Sequence, residues 1–270
     1  YESICQINEL DAIYISTLNN THFDLIKMCA KNQKNILCEK PFCLNLSEAL
    51  QIEKIINENN VKFFEAIAYL SHPQTDLMLD MINNGEIGEI NSIESSFGFK
   101  IKKIKPELRL FNKKLGGGAI LDIGCYPISF ISLFTKDKNK IKLKNIKGEI
   151  CETNVDIDAS ADLLVNDKIK CSIKVSLKEY LNNNSIIHGS KASIIINSPW
   201  LPDKKTFLEI SNKEGYYKKF IESDLSVYAN QIKNVSNEFL NKVNKAQNLF
   251  DISKSVQNMK YLDDWMKNIN

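Results

Sequence analysis

The chain has 270 residues, of which 43% are apolar, 25% charged and 9% aromatic. This composition is typical of a globular protein and excludes collagen, coiled-coil and wholly disordered classes. The 35 basic and 33 acidic residues give a net charge of +2 and are scattered along the chain, which argues against a nucleic-acid-binding stripe. The length corresponds to two domains or one large one.

Short β-branched runs alternate with helical patterns over the first 68 residues. Strands are predicted at 11–17, 35–39 and 61–68, and helices at 22–31 and 47–59. Ser47 is the predicted N-cap of the second helix. This alternation is typical of βαβ units and predicts a doubly wound parallel sheet covered by helices.

From residue 68 onward the pattern changes. Helices are predicted at 73–84, 118–134, 225–245 and 252–266, a strand at 90–100, and further strands between 140 and 222. Polar and apolar residues alternate in 169–178, which is typical of an antiparallel sheet with one solvated face. The Lys- and Asn-rich segment 136–147 is predicted to form solvated turns.

The predicted fold class is therefore α/β with two parts. Residues 1–67 form part of a Rossmann-type, doubly wound parallel sheet, and residues 68–270 form an α+β domain with an open, mostly antiparallel sheet. A parallel sheet of three strands is small, the chain begins at Tyr1 instead of Met, and it contains no GxGxxG. We therefore expect the sequence to be a fragment that lacks its N-terminal strands.

The cysteines and histidines predict neither disulfides nor a metal site. Seven cysteines are spread over the chain without a CxxC pair. The histidines, His22, His72 and His188, are equally dispersed. Apolar runs such as 128–134 are shorter than the roughly 18 residues of a membrane span, and the first residues do not form a signal peptide. We expect a cytoplasmic protein without membrane or nucleic-acid partners.

Two polar segments follow the first two predicted strands, at 17–22 and 39–41. Ligands of doubly wound sheets bind beyond the carboxyl ends of the strands, so position favours a functional role. Lys40 precedes Pro41 and is biased to an extended or turn conformation, which holds its ammonium group at the sheet edge. A solvated loop lysine is the alternative interpretation.

A third segment begins with the glycines at 116–118, which allow close approach of the backbone to a ligand or another element. Asp122 and Tyr126, four residues apart, share one face of the predicted helix. A tyrosine near a lysine can have its pKa of about 10 lowered, so that it transfers protons near neutrality. A helix terminus with a core tyrosine is the alternative.

Three motifs carry a family resemblance: DAIYISTLNNTH and NILCEKP within 11–41, EAIAYLSHPQ at 65–74, and LGGGAILDIGCYP at 115–127. In this order and spacing the chain resembles the Gfo/Idh/MocA family. The DIGCYP version, with Tyr126, resembles its dihydrodiol and xylose dehydrogenase branch. The resemblance covers essentially the whole chain and is weak between about 136 and 245.

The resemblance implies an NAD- or NADP-dependent dehydrogenase that moves a hydride between the nicotinamide and a CH–OH carbon of a sugar or cyclic polyol. It also implies a homo-oligomer, dimer or tetramer. The implied catalytic residues are Lys40, Asp122 and Tyr126; the implied cofactor contacts are Thr17, Asn19, His22, Glu39, Lys40 and Pro41; the implied substrate contacts are Tyr69, His72 and Arg109. A cis bond before Pro41 is part of the same expectation.

Departures from the family pattern leave other functions open. Leu18 stands where the family usually has Pro, and Leu70 stands where it usually has Arg, which puts the substrate class in doubt. Arg109 is the one arginine in the sequence. The family carries about 60 further residues before position 1, with the phosphate loop. The alternatives are a non-catalytic relative or scaffold and an NAD-assisted lyase or glycosidase.

Overall fold

A computed structural model describes residues 1–135, 140–242 and 248–269. The helices are α1 (Glu2–Cys5), α2 (His22–Lys31), α3 (Leu46–Asn59), α4 (Pro73–Asn83), α5 (Cys125–Ser132), α6 (Val227–Phe239) and α7 (Ile252–Lys267). The strands are β1 (Ala12–Ile15), β2 (Asn35–Cys38), β3 (Phe63–Glu65), β4 (Ile90–Gly98), β5 (Ile141–Ile150), β6 (Asp156–Val165), β7 (Ile169–Ser176), β8 (Ser185–Gly189), β9 (Ala192–Ile196), β10 (Lys205–Asn212), β11 (Gly215–Glu222) and β12 (Phe250–Asp251).

The first sheet has the order β1-β2-β3-β12, with β1, β2 and β3 parallel. This confirms the predicted Rossmann-type sheet. Helix α3 buries Ala49, Ile52 and Ile56, the period that the sequence shows. Its N-cap is Asn45 and not Ser47, because the Asn45 side chain accepts a hydrogen bond from the backbone N–H of Glu48 at 2.9 Å.

The end of the chain returns to the first sheet. Strand β12 pairs antiparallel with β3, Phe250 lying opposite Glu65, and α7 contacts α3, α5 and β3. The division at residues 67 and 68 stays a prediction, since one strand of this sheet comes from residues 250–251.

The second sheet has eight strands in the order β11-β10-β9-β8-β4-β7-β6-β5. Its pairs are antiparallel except β4 with β7, which run parallel, so the expectation of a mostly antiparallel sheet is confirmed. Strand β5 begins at Ile141, in agreement with the strands predicted from residue 140, so the overlapping prediction of turns over 140–147 is wrong. Ile141 is buried and pairs with Val165 of β6, because the apolar residues of this Lys-rich segment alternate. The predicted turn at 136–139 lies outside the described residues.

The glycine segment leads into a π-helical turn, Ile120–Gly124, which continues into α5. By length and mean hydropathy, residues 113–132 could cross a membrane, yet 89% of the most apolar part of this stretch is buried inside the protein. It is the central apolar segment, and one hydrophobic core joins it to both sheets. Helix α6 ends at Phe239, before the predicted end at 245; residues 243–247 lie outside the described part.

Candidate active site

Three segments from different parts of the chain converge at one edge of the first sheet. The loops after β1 and β2 meet there because parallel strands end at the same edge. The π-helical turn 120–124 contacts the second of these loops through Lys40 and Asp122. The three segments enclose a pocket of about 380 Å³ lined by Ser16, Thr17, Leu18, Asn19, Glu39, Lys40, Arg109 and Asp122. Five of the residues predicted from the sequence to bind cofactor or to act in catalysis thus line one cavity: Thr17, Asn19, Glu39, Lys40 and Asp122. Tyr126 and Pro41, predicted for the same roles, are not among its lining residues.

Lys40 contacts Asp122 directly. Its Nζ donates to the backbone carbonyl of Asp122 at 2.5 Å and lies 3.3 Å from Asp122 Oδ1. The Lys40–Pro41 bond is cis, as the resemblance implied. The side chains are 15% and 9% exposed, so the pair is largely withdrawn from water and its attraction is little screened.

A second cation holds the same carboxylate. Arg109 Nη2 donates to Asp122 Oδ1 at 2.8 Å. Burial raises the pKa of Asp122, but the charges of Lys40 and Arg109 lower it more, and the net direction is downward. Asp122 is therefore an anion between two cations. The resemblance implied a substrate contact for Arg109; in the structure its guanidinium group is hydrogen-bonded to the Asp122 carboxylate.

Lys40 remains an ammonium ion in this setting. Burial by itself lowers its pKa, whereas Tyr126 and Asp122 raise it, and the net direction is upward. The Nζ lies 5.1 Å from the centroid of the Tyr126 ring, within the range of a cation–π contact. A fixed positive charge therefore lies beside the phenol.

Tyr126 keeps its proton. Burial raises its pKa, Lys40 lowers it by less, and the result lies above the usual value near 10. The expectation that Lys40 brings this pKa down toward neutrality is therefore wrong. The physical reason is the aromatic wall around the phenol, with the rings of Phe97, Trp200 and Tyr69 centred 5.4, 5.7 and 6.3 Å away.

The glycine segment allows close backbone contacts that a side chain would block. Gly116 has φ +73°, and its carbonyl accepts a hydrogen bond from Asn19 Nδ2 at 3.2 Å. A Cβ atom at Gly117 would lie 2.6 Å from the carbonyl oxygen of Arg109. Close packing at Gly117 thus fixes the approach of the Arg109 segment to the turn that carries Asp122.

Asp156 is a site-supporting residue that sequence reasoning missed. Its Oδ2 accepts the backbone N–H of Ile120 at 2.7 Å, at the start of the π-helical turn. A Cβ atom on Gly118, which has φ +115°, would lie 2.3 Å from Asp156 Oδ1. Burial raises the pKa of Asp156 to about 6. Its position in a strand of the other sheet explains why no local pattern identified it.

His22 lies behind the pocket instead of lining it. Its Nδ1 is 2.9 Å from the carbonyl oxygen of Pro41, and its Nε2 is 3.1 Å from that of Thr17. The ring is fully buried, and burial lowers its pKa. The structure therefore differs from the expectation of a cofactor contact, and His22 ties the loop after β1 to the loop after β2.

Glu39 faces the pocket with a partner that sequence reasoning missed. Its carboxylate accepts a short hydrogen bond from the Tyr14 hydroxyl, and its Oε2 lies 3.3 Å from the backbone nitrogen of Lys40. Tyr14 is on β1, one strand away. Burial in β1 does not alternate strictly, since Ala12 and Ile13 are half-buried, Tyr14 is exposed and Ile15 is buried, so no period-2 pattern marked Tyr14.

Tyr69 and His72 lie in the packed region next to the pocket, not on its lining. The Tyr69 hydroxyl is 3.0 Å from Ser129 Oγ, and the His72 Nδ1 accepts the backbone N–H of Gln74 as the N-cap of α4. Their sequence-based assignment as substrate contacts stays a prediction. Within residues 1–135, 140–242 and 248–269, no group of acidic, His or Cys side chains could hold a metal ion.

Two family models match the sequence. The model described as an oxidoreductase family with an NAD-binding Rossmann fold, GFO/IDH/MocA, matches residues 1–67, and the GFO/IDH/MocA C-terminal domain matches residues 76–195. A trans-1,2-dihydrobenzene-1,2-diol dehydrogenase of Xenopus tropicalis is 31% identical over 215 residues, 79% of this chain. The chain spans 63% of the length of that relative.

Other relatives and solved structures are similar. A D-xylose 1-dehydrogenase (NADP(+)) of Haloferax volcanii is 29% identical over 141 residues, 52% of this chain and 43% of the relative. The structure of a mutant 3-ketoreductase from Actinomadura kijaniata, in complex with TDP-benzene and NADP, superposes with a TM-score of 0.87 at 20% identity. It covers 100% of this chain, which covers 82% of that one. At this identity the superposition shows a shared fold.

Proposed function

Because this chain belongs to the GFO/IDH/MocA family of oxidoreductases, we propose that it transfers a hydride between NAD or NADP and the CH–OH carbon of a sugar or cyclic polyol. The observation that carries the proposal is the Lys40 ammonium group, which is held on Asp122 beside the protonated phenol of Tyr126. A cation whose Nζ lies 5.1 Å from the ring of a proton donor can, together with that donor, stabilise an alkoxide as it forms or is consumed.

The pocket suits the nicotinamide end of a dinucleotide. It opens beyond the carboxyl ends of parallel strands, where nucleotides bind such sheets, and its volume of about 380 Å³ lies within the range of small-molecule sites. Thr17, Asn19 and Glu39 would hold this end, with Lys40 against the ribose. When bound, the cofactor supplies or accepts the hydride.

The side chains of this protein have separable roles. Lys40 stabilises negative charge on the substrate oxygen, because its own charge is fixed by Asp122 and Arg109 anchors that carboxylate. Tyr126 holds the proton that the oxygen takes up on reduction, since burial keeps the phenol neutral. In the oxidation direction the step runs in reverse: Tyr126 that has lost its proton, with its negative charge balanced by Lys40, takes up the proton of the substrate hydroxyl. The aromatic wall around Tyr126 excludes water from this exchange.

The charge balance of the pocket favours a neutral substrate. Both cations, Lys40 and Arg109, contact the same carboxylate, and Glu39 adds a second acidic side chain to the lining. An anionic substrate would find no uncompensated cation among the lining residues. A neutral diol or aldose is consistent with the substrates named for the dihydrobenzenediol and xylose relatives.

Assembly and location form a separate proposal. We propose a homo-oligomer, a dimer or tetramer, in the cytoplasm. All seven cysteines are free and buried, which fits a reducing compartment. The edge strand β11 exposes Tyr216, Tyr217 and Phe220, and a patch of this kind is typical of contact surfaces. Light scattering after gel filtration tests this, since a mass of 30.8 kDa would mean a monomer.

The experiment that tests the activity follows NADH and NADPH absorbance. The purified chain is incubated with NAD⁺ or NADP⁺ and D-xylose, trans-1,2-dihydrobenzene-1,2-diol or neutral cyclic polyols, and the reverse reaction is run with the corresponding carbonyl compounds. Formation of reduced cofactor that depends on Lys40 supports the proposal. Cofactor binding without turnover of any compound would favour the scaffold alternative, and product formation without net reduced cofactor would favour the lyase alternative.

A further inference from the structure

A buried carboxyl group lies directly behind the Lys40 loop. Glu65 ends strand β3, in the middle of the first sheet, where Cys38 of β2 and Phe250 of β12 flank it. The residue is 4% exposed. Acidic side chains are rarely this buried without a specific partner, so a group that binds the Glu65 carboxyl is expected nearby.

The partner is the backbone of the loop that carries Lys40. Glu65 Oε1 accepts the N–H of Phe42 at 3.2 Å, and Phe42 is the second residue after Lys40. The other oxygen, Oε2, accepts no hydrogen bond from residues in the described part of the chain. The Ser255 hydroxyl lies close enough to lower the pKa of Glu65, although it donates instead to Phe250 at 3.5 Å. One of the two oxygens of the Glu65 carboxyl group thus has a hydrogen-bond partner in the described part of the chain.

Groups from four elements face Glu65. They are Cys38 and Glu39 at the end of β2, Lys40 and Cys43 in the following loop, Cys125 of α5 and Ser255 of α7. Three of these groups are thiols, and the cation among them is Lys40. Burial raises the pKa of Glu65 to about 7, with Phe42, Ser255 and Lys40 acting against it and Glu39 adding to it.

We propose that Glu65 is a positioning residue for the proposed oxidoreductase site: its ionised carboxylate anchors the 40–42 loop and adds negative charge behind Lys40. This inference deepens the proposed function and rests on it for its kinetic effect. A hydrogen bond to a charged acceptor is about twice as strong as one to a neutral acceptor. When the carboxyl group takes up a proton, the loop is held less firmly and Lys40 loses an opposing charge.

The decisive variant is Glu65→Gln, which keeps the shape and an acceptor oxygen but cannot ionise. For the wild type we expect kcat to fall as pH decreases through about 7. In Glu65→Gln this fall of kcat at low pH, the acid limb of the profile, should disappear. At pH 8 the kcat of the variant should be about tenfold lower than that of the wild type. Asp76→Asn is the matched control: burial also raises the pKa of Asp76 to about 6, but it lies on α4 and does not line the pocket. Its acid limb should match the wild type.

A second measurement keeps the inference testable even if the chain shows no turnover. The rate at which an amine reagent labels Lys40, read by peptide mass spectrometry across pH, reports the free-amine fraction. Loss of the Glu65 charge lowers the pKa of Lys40, so labelling should be severalfold faster in Glu65→Gln and unchanged in Asp76→Asn. Identical labelling in wild type and Glu65→Gln would overturn the role of Glu65. If labelling differs between the wild type and Glu65→Gln but neither shows turnover, the proposed activity is refuted and the role of Glu65 stands.

Discussion

Lys40 and Asp122 are 82 positions apart in the sequence, yet Lys40 Nζ lies 2.5 Å from the Asp122 carbonyl and 3.3 Å from its carboxylate. One residue follows a strand of the parallel sheet and the other lies in the π-helical turn after the glycines. The contact therefore joins the two parts of the chain at the pocket. It also fixes the charge state of both groups, because each stabilises the ionised form of the other.

Replacing Lys40 tests its role most directly. We expect Lys40→Met to lower kcat by about 10²- to 10⁴-fold, because the variant lacks the ammonium group that we propose to stabilise charge on the substrate oxygen. Far-ultraviolet circular dichroism should be unchanged. Lys54→Met is the control, since Lys54 is 75% exposed on α3 and pairs with the exposed Glu58 one turn away. Wild-type turnover in Lys40→Met would refute the catalytic role of this lysine.

Asp122→Asn should destabilise the protein near neutral pH. Lys40, which is 15% exposed, and Arg109, which is 33% exposed, would lose their carboxylate, and breaking a buried ion pair costs about 3 kcal/mol. The pKa of Asp122 is lowered in the folded state, so its contribution is present above its ordinary value of about 4 and is lost as pH falls through the folded-state pKa. Urea unfolding at several pH values should show the difference from wild type shrinking in acid.

The control for Asp122 is Asp167→Asn. Lys142 lowers the pKa of Asp167 through a 2.6 Å ion pair, but both side chains are more than half exposed. Water screens such a pair, so the free energy of unfolding should be the same within error. Equal losses of stability for both variants would show that burial of Asp122 has no energetic consequence.

Tyr126→Phe separates proton transfer from packing. Because burial keeps the pKa of Tyr126 above its usual value, the wild-type rate of carbonyl reduction should not fall with rising pH through the neutral range. Removal of the hydroxyl should lower kcat by about 10²-fold or more with little change in thermal stability. The measurement is the pH profile of kcat together with the melting temperature.

Tyr69→Phe is the companion variant of Tyr126→Phe. The Tyr69 hydroxyl bonds to Ser129 Oγ in the core, so its loss should cost about 1 kcal/mol of stability while kcat changes little. If Tyr69→Phe lowered kcat as much as Tyr126→Phe, the proton-donor assignment would be wrong.

The glycine segment makes a steric prediction. We expect Gly117→Val to destabilise the fold by more than about 2 kcal/mol, because a Cβ atom there would lie 2.6 Å from the Arg109 carbonyl and 2.7 Å from that of Leu110. Both neighbours are backbone and cannot rotate away. The free energy of unfolding measures the effect.

Gly85→Asn provides the comparison for Gly117→Val. Gly85 has φ +72° and open space around it, and asparagine tolerates the left-handed region. Its cost should be within about 0.5 kcal/mol. A Gly117→Val protein as stable as Gly85→Asn would contradict the close packing of the glycine segment against the 109–112 backbone.

Local patterns were sufficient for the elements that bring the site together. The alternation of strands and helices up to residue 68 predicts the parallel sheet, since periodicity reports which face of each element is buried. The residues after strands β1 and β2 then fall at one sheet edge by geometry alone. Lys40 could be placed there without knowledge of Asp122. The four-residue spacing pointed to Asp122 and Tyr126 as a pair, and the motif resemblance joined this pair to Lys40.

The sequence by itself thus determined the fold class, the sheet edge and the group Lys40, Asp122 and Tyr126. Only the tertiary structure decided the partner of Arg109, the inward position of His22, the backbone hydrogen bonds that Asp156 and Glu65 accept, and the direction of the Tyr126 pKa shift. The reason is that desolvation and pairing depend on atoms from distant segments. Phe97 and Trp200 bury the Tyr126 phenol. The sequence pattern near residue 126 does not show that these two distant rings pack against it.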